Sequence, residues 1–543
     1  VNALAREDRA GTRALLRLAV RRDRVKVPGW IAVLVGLTWA QAGGIAGIYP
    51  SQADRVAYAA TTASSAAARL FGAVDGPSLG SIMMNELFVF VSIVIALVCS
   101  MLVVRHTRQD EETGRLELLR SAPVGRHAAL AAALAFGAAV AVAIGLVLAV
   151  ALVAVGLPAG GSAIMAASWA GVGLTFAGVG AVAAQLAGSA RLANGIAGAV
   201  LAVAFALRAA GDVLGEVSAD SMHVAIAWPS WLSPIGWGQL AYPFGAQRAW
   251  VLVLPVLAFT CLAGGAFVLA GRRDFGRGML RQRRAASRAG ASLAGPVGLA
   301  VRLHRTTVVA WTVGLVAMGA IGGVFAGAVQ DMLGDNAAAR ELFEGIGGTD
   351  VLVDSYFGVM VAYLGLMAVG MALQVTMRLR SEERGPGEAL LVAGAGRARW
   401  MTSHLLVAAV ATALALALAG GAMQLLAAAS GEPVDGLELV AGSIAQLPAV
   451  LVYVGAAALG FGISPRLAGW LGWGLLAFSS AALFASALDL PGWLLDLSPI
   501  EHAPMVPVEQ VEVVPMLVLL GIAAAGVVVG LLRFARRDLA TGA

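Results

Sequence analysis

Apolar runs of about twenty residues, separated by short polar or basic segments, recur from residue 30 to residue 532. A run of that length, wound as a helix, matches the hydrocarbon thickness of a bilayer. Backbone inside lipid has to close its own hydrogen bonds, which leaves helices or a closed barrel, and these runs are too continuous for the alternating strands of a barrel. Spans are expected near 30–49, 84–104, 128–156, 163–187, 195–214 and 250–270, then 306–327, 356–377, 403–429, 439–461, 468–488 and 513–532. With 59% hydrophobic and 13% charged residues, a water-soluble globule is excluded, because soluble domains carry about twice that charge. The expected fold class is an all-α integral membrane protein of about twelve transmembrane helices.

Charge sets the orientation. There are 37 Lys+Arg and 32 Asp+Glu. Once the runs are taken as spans, basic residues dominate the side that holds both ends, and acids dominate the other. The basic side is cytoplasmic by the positive-inside rule, so a plasma-membrane protein with both termini in the cytoplasm is expected. Basicity then reports topology and anionic headgroups, and nucleic acid is an unnecessary partner. Residues 1–28 are too charged for a cleaved signal and read as a basic interfacial amphipathic segment or a disordered basic tail. Cys99 and Cys261 each fall inside an apolar run, which suggests neither a disulfide nor a metal site.

Between the second and third runs lies R-Q-D-E-E-T-G-R-L-E-L-L-R-S-A-P-V-G-R, residues 108–126. Glu111 and Glu112 come first and arginines later, the order a helix dipole favours. Leu116, Leu119 and Pro123 fall on one face with Leu118 and Ala122 beside them, so a short amphipathic helix across the membrane surface is expected, dependent on a partner surface. An ordinary solvated loop has the same composition. The stretch returns at an offset of 271: laid over residues 109–126 without a gap, residues 380–397 put Glu382, Glu383, Gly385, Glu388 and Arg397 opposite Glu111, Glu112, Gly114, Glu117 and Arg126.

Other features return in the same order. Ser464-Pro465-Arg466-Leu467-Ala468 matches Ser189-Ala190-Arg191-Leu192-Ala193, Trp493 with Ser498-Pro499-Ile500 echoes Trp231 with Ser233-Pro234-Ile235, and Arg536-Arg537-Asp538 closes the second half as Arg272-Arg273-Asp274 closes the first. A duplicated chain follows. Its parts are the interfacial segment 1–28, a six-span half 29–271, a basic linker 272–305 and a second six-span half 306–543. An even number of spans per half makes the repeats parallel. Trp228, Trp231 and Trp237 with Pro229 and Pro234 predict a broken or re-entrant segment at the outer interface.

Within the spans, Arg208 and Asp212 share a helix face. They read either as a snorkelling pair near the outer headgroups or as the lining of an outward path. Met83, Met84, Phe88 and Phe90, with Met360, Met367 and Met371 in the second half, suit a deformable apolar cavity or simply core and lipid contact. Gly43 with Gly47, and Gly319 with Gly323, allow close helix approach.

The pattern E-E-x-G-x-L-E-L-L-x-x-x-P-V-x-R at 111–126 resembles the cytoplasmic loop between the second and third spans of ABC type-2 transporter permeases. The duplicated, Trp-rich, arginine-heavy form resembles their actinobacterial polyketide-antibiotic or multidrug exporter branch. The resemblance covers nearly the whole chain. It implies a type V ABC exporter-like fold, a small amphipathic or lipophilic substrate, surrounding membrane lipids, and two copies of a cytoplasmic ABC ATPase or a related pair, into which the loop docks as a coupling helix. Carried over by position, Glu111, Glu112, Gly114, Leu116, Glu117, Leu118, Leu119, Pro123 and Arg126 form the first coupling element. Glu382, Glu383, Gly385, Glu388, Leu390, Leu391 and Arg397 form the second, where Pro386, Gly387 and Gly394 depart from the pattern and imply a shorter or broken helix. Arg191 and Arg466 are implied as secondary contacts.

The residues agree with that division of labour. A P-loop needs a lysine after its glycines, and the one lysine, Lys26, stands between Val25 and Val27. No cofactor is expected in this chain, and ATP and Mg are expected on the partner. A lipid exporter of the same class remains an alternative. A secondary drug/proton antiporter would want a buried acid on a central helix and a Gly-Asp-Arg-rich loop after the second span. A membrane-embedded enzyme would want a paired histidine, acid cluster or nucleophile constellation in the spans, and none is visible in the sequence.

Overall fold

A computed structural model describes residues 10–120, 123–274, 276–280, 290, 295–334, 349–383, 396–431, 434, 436–482 and 491–538. The protein is an all-α integral membrane protein, and among the described residues eleven helices are long and apolar enough to cross a membrane. The remaining expected span, 468–488, lies partly outside the described residues, and its described portion is the helix Pro465–Ala482. The chain divides into two compact units, 1–284 and 285–543.

In the first unit an amphipathic helix, Thr12–Asp23, precedes the spans and starts after Gly11, whose φ of +81° turns the chain sharply into it. Its inward face buries Ala19 and Asp23. The six spans are Lys26–Ile48, Phe88–Glu112, Ala128–Ala154, Ala159–Leu186, Ala190–Val213 and Ala249–Arg272. The fourth is the most enclosed, with Trp169 fully buried, stacked on Phe88 at 5.9 Å and donating its indole N–H to the Phe88 carbonyl at 3.1 Å. Such satisfaction of the indole is what a buried tryptophan requires. The segments expected on the outer side fold as a small cap: a helix Gln52–Ser64 with a Ser51/Asp54 capping box, a two-strand ribbon Glu216–Val217 with Val224–Ala225, a 3-10 turn Trp228–Leu232 and a short helix Pro234–Leu240. The expected broken segment is therefore present, with prolines opening both of its pieces.

The second unit contains Pro296–Gly334, Thr349–Glu383, Arg397–Ala429, Glu438–Ile463, Pro465–Ala482 and Val513–Arg536. Its first helix starts inside the stretch read as linker, because residues from Pro296 onward already have core neighbours, with Ala300 and His304 buried. Gly319 and Gly323 allow the expected close approach: a Cβ there would lie 2.2 Å from the Ala419 carbonyl oxygen and 2.3 Å from that of Met423. Gly43 and Gly47 do not pack this way, since open space surrounds both.

Candidate functional site

The polar stretch after the second span does not begin a new surface helix at its acids. The second span runs on past its apolar part, through a π-helical turn Arg105–Gln109, and ends only after Glu112. Gly114, at φ +72°, then reverses the backbone, and a separate helix occupies only Arg115–Arg120. The expectation of acids at a helix N-terminus is thus corrected for Glu111 and Glu112, which sit at a C-terminal end. Glu111 tolerates it because Arg273 arrives from elsewhere in the chain, and Glu112 accepts the Ala190 backbone N–H.

Glu111 is buried and takes both Nη groups of Arg273, each at 2.8 Å, the Gly276 backbone N–H at 2.6 Å and Arg108 Nη1 at 3.0 Å. Arg273 Nε donates to Gln185 Oε1 at 2.7 Å, and Arg108 Nε donates to the Ala187 carbonyl at 2.6 Å. Glu112 accepts the Ala190 backbone N–H at 2.9 Å, serving the first turn of the fifth span where a negative charge is favoured. Arg126 Nη2 donates to the Gly271 carbonyl at 2.9 Å. The ends of the second, fourth, fifth and sixth spans on the loop's side therefore meet in one ion-paired hub beside the loop.

The helix Thr12–Asp23 joins the same hub. Asp23, 1% exposed, accepts from Arg105 and lies 2.7 Å from His106 Nε2, while Arg22 pairs with Asp110 at 2.6 Å. Outward from the hub, Glu112, Glu117, Leu118, Pro123 and Arg126 are exposed, as is Arg191 on the short turn, whereas Leu116 is buried. The helix Arg115–Arg120 includes Leu119, whose side chain lies outside the described ones. A cavity of about 490 Å³ opens under the loop between Leu116, Val124, Arg126, Thr107, Glu111 and Arg273.

In the second unit Glu383 meets Arg537 Nη2 at 2.9 and 3.0 Å, and Glu382 pairs with Arg378 at 3.0 Å. Arg397 Nη1 donates to the Arg537 carbonyl at 2.6 Å. Arg466 is exposed. Gly385, Glu388, Leu390 and Leu391 lie outside the described residues. The two copies align here without a gap, Glu-Glu-Thr-Gly over Glu-Glu-Arg-Gly, yet the acid that takes the arginine after the last span is the first of its pair, Glu111, in the first unit and the second of its pair, Glu383, in the second.

The residues considered for a path through the membrane are placed differently. Arg208 and Asp212 are both fully buried, with Nη1 and Oδ2 3.0 Å apart. Arg208 also donates to the Leu70 carbonyl and lies over the Phe205 ring at 4.9 Å. Both side chains are enclosed within the first unit. The bond to the Leu70 carbonyl ties the segment before the second span to the fifth span. Met83, Met84, Phe88 and Met371 are packed in the two cores, Met360 and Met367 pack against the second core, and Phe90 is half exposed and stacked near Phe71. The buried methionines fill gaps in the two cores, as unbranched methionines commonly do.

Sequence reading missed one pair altogether. His304 and His404, a hundred positions apart, are both buried, with Nε2 and Nδ1 2.8 Å apart, so the expectation of no paired histidine is corrected. Among the described residues no group of three or more His, Cys, Asp or Glu is gathered as for a metal. The hub arginines were also missed, although the repeated Arg-Arg-Asp after each last span was a usable signal: a basic residue held at the inner end of a packed helix asks for an acid at the same depth.

Residues 293–535 match the family described as Multidrug efflux system permease Rv1217c, C-terminal domain. The chain is 38% identical over 543 residues, spanning 97% of this chain and 95% of the relative, to the Multidrug efflux system permease protein Rv1217c of Mycobacterium tuberculosis.

Proposed function

This chain belongs to the multidrug efflux permease family, and we propose that it is the transmembrane subunit of an ATP-driven ABC exporter. It moves amphipathic or lipophilic, drug-like or polyketide-like compounds out across the plasma membrane, with both termini in the cytoplasm. It holds no nucleotide itself. Two copies of a separate cytoplasmic ATPase, or a related pair, bind ATP and Mg, and their closure pushes on the loops that follow the second span of each half.

One observation carries this reading. The first loop presents Glu112, Glu117 and Leu118 outward while its root, Asp110 and Glu111, is fixed by ion pairs to the rest of the bundle. An exposed apolar-and-acidic tip on a clamped base is what a lever needs: a surface for the pusher and a rigid connection behind it. In the type-2 permease pattern this is the element that docks into the ATPase, and the absence of a P-loop lysine leaves the energy source to that partner.

The test is the double substitution Glu117→Ala/Leu118→Ala in the full chain co-expressed with its ATPase. Drug-stimulated ATP hydrolysis and efflux fall about tenfold, the effect of losing an interface hot spot, while the amount of protein in the membrane is unchanged. Normal stimulation in that variant removes the coupling role. Efflux that survives ATP depletion and collapses with the proton gradient replaces the motor by an antiport mechanism.

A further inference from the structure

We propose that Arg273 and Arg537 are positioning residues that fasten the last span of each half to the second span, so that displacement of the loop is delivered to the last span as well. This rests on the coupling reading above, and deepens it by naming where the push goes.

The warrant is the same pair of connections made twice. In the first unit Arg273, one residue beyond the end of Ala249–Arg272, holds Glu111 at the end of the second span with two parallel hydrogen bonds. Arg126, just before the third span, donates to the Gly271 carbonyl at the end of that same sixth span. In the second unit Arg537, one residue beyond Val513–Arg536, holds Glu383, and Arg397 donates to the Arg537 carbonyl. Each last span is thus tied to the spans on both sides of its own loop.

The change of acid makes the case stronger than a count of ion pairs. Each copy has two consecutive acids, and although a different one of the two takes the arginine, the connection is made in both. The settings differ too: Arg273 leans on Gln185, whereas Arg537 lies over the Phe461 and Phe534 rings at 5.3 Å. What the two copies share is the connection. Both acids are sealed, with side chains 1% and 0% exposed, against arginines at 13% and 14%. A pair so enclosed is stiff, because breaking it strands a charge away from water; at Glu111 the two-pronged guanidinium fork fixes orientation as well as distance, while Arg537 shares Nη2 between both Glu383 oxygens.

The experiment uses the full chain with Cys99 and Cys261 replaced by alanine and spin labels placed on Thr113→Cys in the loop and Val268→Cys on the sixth span, both exposed positions. Four chains are compared: the parent, Arg273→Glu, Arg273→Lys, and the swap Glu111→Arg/Arg273→Glu. The parent gives a narrow label-to-label distance distribution, Arg273→Glu a broad one, Arg273→Lys an intermediate one, and the swap narrows it again. With the ATPase present, Arg273→Glu lowers maximal drug-stimulated hydrolysis about tenfold with the half-stimulating drug concentration unchanged, and the swap restores most of it. A narrow distribution in Arg273→Glu, or a broad one with normal stimulation, overturns the proposal. Should the parent itself show no ATP-dependent efflux while the distances behave as stated, the motor reading falls and the fastening stands.

Discussion

Arg208 illustrates how a charge is kept inside an apolar bundle: it is fully enclosed, paired with Asp212 at 3.0 Å and satisfied further by the Leu70 carbonyl. Removing one member leaves the other without compensation, so Arg208→Leu is expected to destabilise by roughly 3–5 kcal/mol, whereas Arg208→Leu/Asp212→Leu loses far less. Thermal unfolding in detergent checks this, and a double variant as unstable as the single one would refute the pairing argument. Asp23 is a similar case at the inner face, since it accepts from Arg105 and contacts His106. Asp23→Ala is predicted to release Thr12–Asp23 from the hub, seen as faster amide exchange across residues 12–23 with the spans unaffected. Composition shows that buried charges must be rare here, but not which ones are paired: Glu111 and Arg273 are 162 positions apart, and no local window contains both.

At the scale of elements, the apolar periodicity revealed the spans because a membrane helix is identified by its own length and polarity. It did not reveal where the second span ends. That helix continues through Arg105–Gln109 to Glu112 because tertiary partners neutralise its charged end, a reason that lies outside the segment. The turn that follows depends on Gly114, whose surroundings are open but whose φ of +72° is strained for any other residue. Gly114→Ala is therefore expected to cost about 1–2 kcal/mol locally and to redirect Arg115–Arg120, lowering efflux with little change in global unfolding temperature. Gly323 fails for the opposite reason: it has the backbone of Met423 at the distance a side chain would fill. Gly323→Val forces Pro296–Gly334 away from Arg397–Ala429 and should lower the unfolding temperature itself.

For the whole molecule, the repeat of the loop, the short turn and the closing Arg-Arg-Asp was legible because duplication preserves order, and the contact pattern independently divides the chain after residue 284. Each unit has its own core, so a chain cut between residues 284 and 285, with both pieces co-expressed, is expected to reassemble and export at a rate within about threefold of the intact protein. Efflux assays on cells expressing both pieces, or either alone, check this. The copies are nonetheless mechanically unlike. The first has a break after Asp23, between its interfacial helix and its first span, whereas the second runs without interruption from Pro296 to Gly334, a rod of roughly 60 Å at 1.5 Å per residue. A knee can absorb a stroke that a strut must carry from one end to the other, so an equal thrust from below would bend one copy and lift its sibling.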